Sequence, residues 1–206
     1  MTVLLMNPNS NLGTTKMMCR IAAEVLEVPP RPWTVPEGPA LITTNRALVA
    51  AGRLIEHAEI PKDIEAIIVS AFGDPGAAAL AARLHIPVVG IGGAAARASL
   101  LPFAVATTTP ALVGSIDKLM RSNATQTTYC GCFITEGDPN ELMENEQSLD
   151  QALLAAVHAA ARAGAHRVII GGGPLGEAAE RLSSRSPLPL TSPIRAAAKE
   201  VRALLG

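Results

Sequence analysis

Short apolar runs alternate with longer stretches of mixed character along this chain. The runs near residues 3 to 6, 66 to 70, 87 to 91, 103 to 107, 167 to 171 and 188 to 191 are rich in Val, Ile, Leu and Ala, the run near 128 to 134 instead carries Tyr, Cys, Phe and Ile, and most are bounded by Gly, Pro, Asn or Thr. Continuous apolar runs predict strands buried on both faces, as in a parallel sheet. The intervening stretches, about 11 to 27, 45 to 58, 76 to 84, 94 to 100, 110 to 121, 148 to 163, 175 to 183 and 194 to 205, predict helices. Such alternation is the signature of an α/β fold with helices flanking parallel strands. The stretch Pro29 to Pro39 reads as an irregular connection with room for a strand at Trp33-Thr34-Val35. Gly137-Asp138-Pro139-Asn140 reads as a loop opening onto a solvated helix or loop face that carries Glu141, Glu144 and Glu146.

The pattern occurs twice. Ala66 to Ser70 runs into Ala71-Phe72-Gly73-Asp74-Pro75-Gly76, and Val168 to Ile170 runs into Gly171-Gly172-Gly173-Pro174-Leu175-Gly176. Val3 to Met6 before Asn7-Pro8-Asn9-Ser10 corresponds likewise to Phe103 to Ala106 before Thr107-Thr108-Thr109-Pro110. Ala94-Ala95-Ala96 pairs with Ala196-Ala197-Ala198 in the same order. These echoes predict two pseudo-symmetric lobes, 1–100 and 101–206, each a parallel sheet flanked by helices, with the last helix able to pack back on the first lobe.

In open parallel sheets a ligand sits beyond the carboxyl ends of the strands. That rule selects Asn7, Asn9, Ala71, Phe72, Gly73, Thr107, Thr108, Gly172, Gly173 and Pro174, all in turns that lead to helix starts and their free N–H groups. Backbone N–H groups, Thr hydroxyls and Asn amides suit a carboxylate or an imide carbonyl. Each polar residue singly is also what a helix cap requires. Gly171-Gly172-Gly173 lacks the GxGxxG spacing and no GxxxxGK[ST] occurs, which argues against a nucleotide.

Charge narrows the partners. Seventeen basic and eighteen acidic residues give a formal net charge of −1, which leaves no excess to gather phosphate backbones or an acidic membrane. Five aromatic residues, Trp33, Phe72, Phe103, Tyr129 and Phe133, are too few for a base-stacking platform. No apolar run reaches the ~20 residues that span a bilayer, and the N-terminus opens on a strand rather than a signal segment. The expectation is a cytoplasmic protein that handles a small anionic or imide molecule without nucleic acid, membrane, metal or other cofactor. Its Ala-rich helix faces leave a homo-oligomer open. Cys19 reads as a packing residue. Cys130 and Cys132, two apart, are expected on one face of a strand, also as packing residues.

VLLMNPNSN with Thr14-Thr15, AFGDPGA, VVGIGGAA, ATTTP and IIGGGPLGEAA resemble, nearly end to end, the aspartate/glutamate/hydantoin racemase superfamily, and most closely its hydantoin and allantoin racemase branch. The resemblance implies two pseudo-symmetric α/β lobes with the substrate between them. It also implies a pair of thiols on opposite sides of an acidic C–H, one in a CFGDPG turn and one in a GCAGMA-like segment. In this chain those positions hold Ala71 and Gly172, or Gly173 if the alignment slips by one. A methyl group and a hydrogen atom move no protons, so the two-thiol mechanism does not carry over.

Other acid–base groups are sparse near the turns. Asp74 is the one catalytic candidate, set against the competing role of N-cap before Pro75. Glu177 is explained by the dipole of its helix. His57, His85, His158 and His166 fall in or beside helices, away from the strand ends. Three readings follow: an isomerase or racemase acting on an amino-acid-derived carboxylate or cyclic ureide, a lyase or hydrolase on the same scaffold, and a non-catalytic anion-binding protein.

Overall fold

The computed structural model describes residues 1 to 206 and contains two four-stranded parallel sheets. In the first half the elements are β1 (Val3–Asn7), α1 (Leu12–Leu26), β2 (Arg31–Thr34), α2 (Asn45–Glu56), β3 (Ala66–Val69), α3 (Ala77–Arg83), β4 (Val88–Gly90) and α4 (Ile91–Arg97). The second half repeats the order with β5 (Phe103–Thr107), α5 (Val113–Asn123), β6 (Tyr129–Ile134), α6 (Pro139–Glu144), α7 (Glu146–Arg162), β7 (Arg167–Ile170), α8 (Ala178–Arg181), β8 (Leu190–Thr191) and α9 (Pro193–Leu205). The strand orders are β2-β1-β3-β4 and β6-β5-β7-β8, so β1 and β5 occupy equivalent central positions. The two halves predicted from the sequence echoes are thus equivalent in topology. No helix is long and apolar enough to cross a membrane.

Each half lends its last helix to the other. Helix α4 packs on α5, while α9 packs on α1, and α4 and α9 meet each other. One core cluster accordingly mixes Leu5 and Ile68 of the first sheet with Phe103 and Val105 of the second and with Ile194, Ala197, Ala198 and Val201 of α9. The Ala-rich faces noted in the sequence allow these helices to approach closely. Two smaller clusters fill the outer faces of the sheets, one around Leu153, Val157 and Ile170, the other around Met6, Ile55 and Ile67.

Several elements depart from the sequence expectation for identifiable reasons. The strand near Trp33 is real but runs from Arg31 to Thr34. The acidic stretch after Gly137 contains a helix, α6, capped by the Asp138 carboxylate and anchored by buried Leu142. Helix α4 starts at Ile91 rather than 94, through Gly92 and Gly93. Glycine lowers helix propensity, yet here the bare Cα atoms are needed. A Cβ on Gly90 would lie 2.2 Å from the Asp74 carboxyl carbon, and one on Gly93 would lie 3.0 Å from its Oδ2.

The two thiols of β6 do not share a face. The β5–β6 register shifts between Phe103 and Val105, whose partners are Tyr129 and Cys132, so β6 carries an extra residue there. Gly131 takes φ +120 at this bulge, a conformation that favours glycine. Cys130 therefore packs towards the outer cluster and Cys132 towards the inter-lobe core.

Candidate functional site

The carboxyl ends of β1, β3, β5 and β7 converge on one cleft between the lobes, with about 550 Å³ of non-protein space when the open mouth is included. The first lobe contributes Asn9, Ser70, Ala71 and Phe72, and the second contributes Thr107 to Thr109 and Gly171 to Leu175. The Gly run permits lobe-to-lobe contact at this point. A Cβ on Gly171 would come within 2.9 Å of the Phe72 ring, and one on Gly173 within 2.7 Å of the Ser70 carbonyl oxygen. Gly172 is extended, with φ 165, and the atoms nearest its missing Cβ belong to the Leu175 side chain.

Free backbone donors gather here. The N–H groups of Ala71, Phe72, Thr108, Thr109, Gly172 and Gly173 donate to no protein acceptor, although Ala71, Phe72, Thr108, Thr109 and Gly173 are buried. Buried N–H groups are ordinarily paired, so this concentration marks a place prepared for an acceptor. Asn9 adds another donor. Its Oδ1 accepts from Asn11 N at 3.0 Å and from Asn7 Nδ2 at 2.8 Å, which fixes the amide orientation. Its own Nδ2 has no protein partner and belongs to a residue in the cleft wall. The Thr107 and Thr109 hydroxyls pair at 3.3 Å.

Two of the residues expected at the site stand behind it. Asn7 is fully buried and is consumed by a local network, donating to Asn9, to Thr15 Oγ1 at 2.9 Å and to the Asn11 carbonyl. It therefore positions Asn9. Gly73 faces Leu48 and an exterior groove instead of the cleft. The cleft wall brings together Asn9, Ala71, Phe72, Thr107, Thr108, Gly172, Gly173 and Pro174. It also holds residues absent from the sequence expectation: Leu41 and Ile42 from the connection before α2, Leu48 of α2, Leu112 and Ile116 at the start of α5, and Met143 of α6. An apolar pair, Leu41-Ile42, in an otherwise polar and Pro-rich connection was the available signal. Met143 carried none, since it reaches the cleft only through the placement of α6.

Asp74 faces away from the cleft. Its carboxylate accepts from Gly92 N at 2.7 Å and Gly93 N at 2.6 Å, capping α4 across the fold rather than its own helix. Helix α3 instead begins after Gly76 with no side-chain cap. Burial raises the Asp74 pKa to about 6, opposed by those two N–H groups and by Arg97. Glu177 pairs with Arg20 on the surface. None of the four histidines lines the cleft.

The cysteines lie elsewhere too. Burial pushes Cys19 up to about 11. Burial, with a smaller contribution from nearby Asp117, pushes Cys132 up to about 12. Thiols held so far above neutrality are poor nucleophiles and bases. No three His, Cys, Asp or Glu side chains come together in a group able to hold a metal. The cleft lining contains no Asp, Glu, His, Cys, Lys or Arg at all. The lining thus combines neutral donors with apolar walls and holds no titratable base, the composition an oxyanion hole would need.

This geometry has close structural parallels. Allantoin racemase from Pseudomonas fluorescens superposes with a TM-score of 0.88 at 22% identity, covering 100% of this chain and 91% of that one. Allantoin racemase from Klebsiella pneumoniae gives a TM-score of 0.86 at 21% identity, over 99% of this chain and 87% of that one. Hydantoin racemase from Paenarthrobacter aurescens is 25% identical over 215 residues, covering 100% of this chain and 91% of that protein. The Asp/Glu/Hydantoin racemase family model matches residues 3–201, and this chain belongs to that family.

Proposed function

We propose that this chain is an enzyme of the racemase family that binds a small amino-acid-derived carboxylate or cyclic ureide between its lobes and stabilises its enolate, without the opposed thiol pair. The observation that carries this reading is the ring of free donors in a lining with no titratable side chain. Free N–H groups from both lobes and the Asn9 amide would accept the negative charge that develops on the substrate oxygens. The positions where the resemblance implies thiols hold Ala71 and Gly172, or Gly173 on the shifted alignment, all in the cleft lining, so proton exchange at carbon would have to use water entering through the mouth or a group of the substrate itself.

A second reading is favoured by the same empty base positions. A lyase that reaches the enolate by losing a carboxyl group as CO₂ needs no base to form it. The fold is compatible, since arylmalonate decarboxylase superposes with a TM-score of 0.60 at 14% identity.

Incubation with 5-substituted hydantoins, allantoin and 2-substituted carboxylic and malonic acids in D₂O separates these readings. Deuterium at the α-carbon without net conversion supports racemase-type exchange, and CO₂ release supports the lyase. Thermal stabilisation with neither exchange nor turnover would reject both in favour of a binding protein.

A further inference from the structure

We infer that the cleft selects substrates that carry a carboxylate or imide anion and an apolar substituent but no ammonium group. This deepens the functional reading above and rests on it. A zwitterionic amino acid brings its carboxylate and its ammonium into the same small space. The free N–H groups of the β3, β5 and β7 turns and the Asn9 Nδ2 suit the first charge. Nothing of opposite charge meets the second, because no carboxylate lines the cleft, the Asp74 carboxylate is engaged by Gly92 and Gly93, and only neutral hydroxyl and carbonyl oxygens remain there. The Asn9 Oδ1 is also engaged, by Asn11 N and Asn7 Nδ2. An unpaired cation in such a place is strongly disfavoured.

The rest of the wall is apolar. Leu41, Ile42 and Leu48 of the first lobe face Leu112, Ile116 and Met143 of the second around the same space. Such a wall favours an alkyl or aryl substituent over a charged or ureido one.

Asn9→Asp is the discriminating variant. It is nearly isosteric and keeps the oxygen that accepts from Asn11 N and Asn7 Nδ2, so the turn survives. It replaces the free Nδ2 with a carboxylate oxygen, which repels an anion and offers a counter-charge to an ammonium group. The probes are matched pairs that differ by the amino group, 3-phenylpropanoate with phenylalanine and 4-methylpentanoate with leucine, measured by calorimetry on the native chain and the variant. The expected result is at least ~10-fold tighter binding of each deaminated acid by the native chain, a preference worth about 1.4 kcal/mol. In Asn9→Asp the acids should weaken by on the order of 100-fold and the preference should shrink or reverse. Equal or tighter binding of the amino acids by the native chain overturns the selectivity claim and leaves the anion cleft standing. If neither acids, amino acids nor 5-benzylhydantoin bind, the selectivity claim and the functional reading fall together.

Discussion

Asp74 offers a quantitative test of how the fold is held. Its carboxylate is buried against the N-terminus of α4, with pKa raised from 3.8 to about 6. The folded state therefore holds a proton on this group at pH values where the unfolded chain has released it, and the associated stability is fully present below pH 3.8 and is lost as pH rises through about 6. That interval corresponds to about 3 kcal/mol, at ~1.4 kcal/mol per pH unit. Exposed carboxylates such as Asp63 and Glu65 have lowered pKa values and act in the opposite direction, so the raw profile mixes signs. Subtracting the profile of Asp74→Asn removes their contribution. Chemical denaturation followed by circular dichroism at intervals from pH 4 to pH 7 should show the native-minus-variant stability falling by about 2 kcal/mol, the part of the total lost in that window. A difference that stays flat, or grows with pH, would refute the buried-cap account of Asp74.

Other outcomes follow from the same geometry. Gly90→Ala should destabilise the chain by roughly 2 kcal/mol or more in denaturant unfolding, because its Cβ would lie 2.2 Å from the Asp74 carboxyl carbon. Phe72→Ala should cost about 3 kcal/mol and loosen the lobe contact at Gly171, measured by thermal unfolding with and without ligand. Cys130→Ala and Cys132→Ala should leave any α-carbon exchange or turnover unchanged, since neither residue lines the cleft; loss of activity in either would place a thiol in the chemistry. Ala71→Cys with Gly172→Cys should introduce hydantoin racemisation, followed by polarimetry, because Gly172 is extended and the nearest neighbour of its added Cβ is the movable Leu175 side chain, 3.0 Å away. Racemisation equally fast in the native chain would contradict the assignment of those positions.

The architecture was largely legible because local and global signals agree. The apolar runs are buried on both faces, for example at Ala66 to Val69 and Val168 to Ile170, and the turns that follow β1, β3, β5 and β7 hold the Gly, Pro, Asn and Thr that such junctions require. What escaped depends on tertiary placement. Asp74 beside Pro75 looks like the cap of its own helix, and only the packed fold reveals that it caps α4. The same contact explains why Gly92 and Gly93, weak helix formers, begin a helix. Gly131 in a strand signals a bulge in hindsight, but which thiol turns to which face depends on the pairing of β6 with β5. The apolar half of the cleft was hidden for a similar reason. Leu41-Ile42 and Met143 lie about a hundred residues apart, the first pair in an irregular connection and the second in the short helix α6, and they share the cleft only once both lobes are packed at the strand ends.

The central claim is that a thiol-free cleft presents neutral donors from both lobes to a small anion. A crystal structure of the chain with 3-phenylpropanoate or 5-benzylhydantoin bound tests it most directly. The account predicts acceptor oxygens within about 3 Å of N–H groups among Ala71, Phe72, Thr108, Thr109, Gly172 and Gly173, with the apolar substituent against Leu41, Ile42 or Met143. A ligand seated elsewhere, or one whose α-carbon contacts a cysteine sulfur, would contradict it.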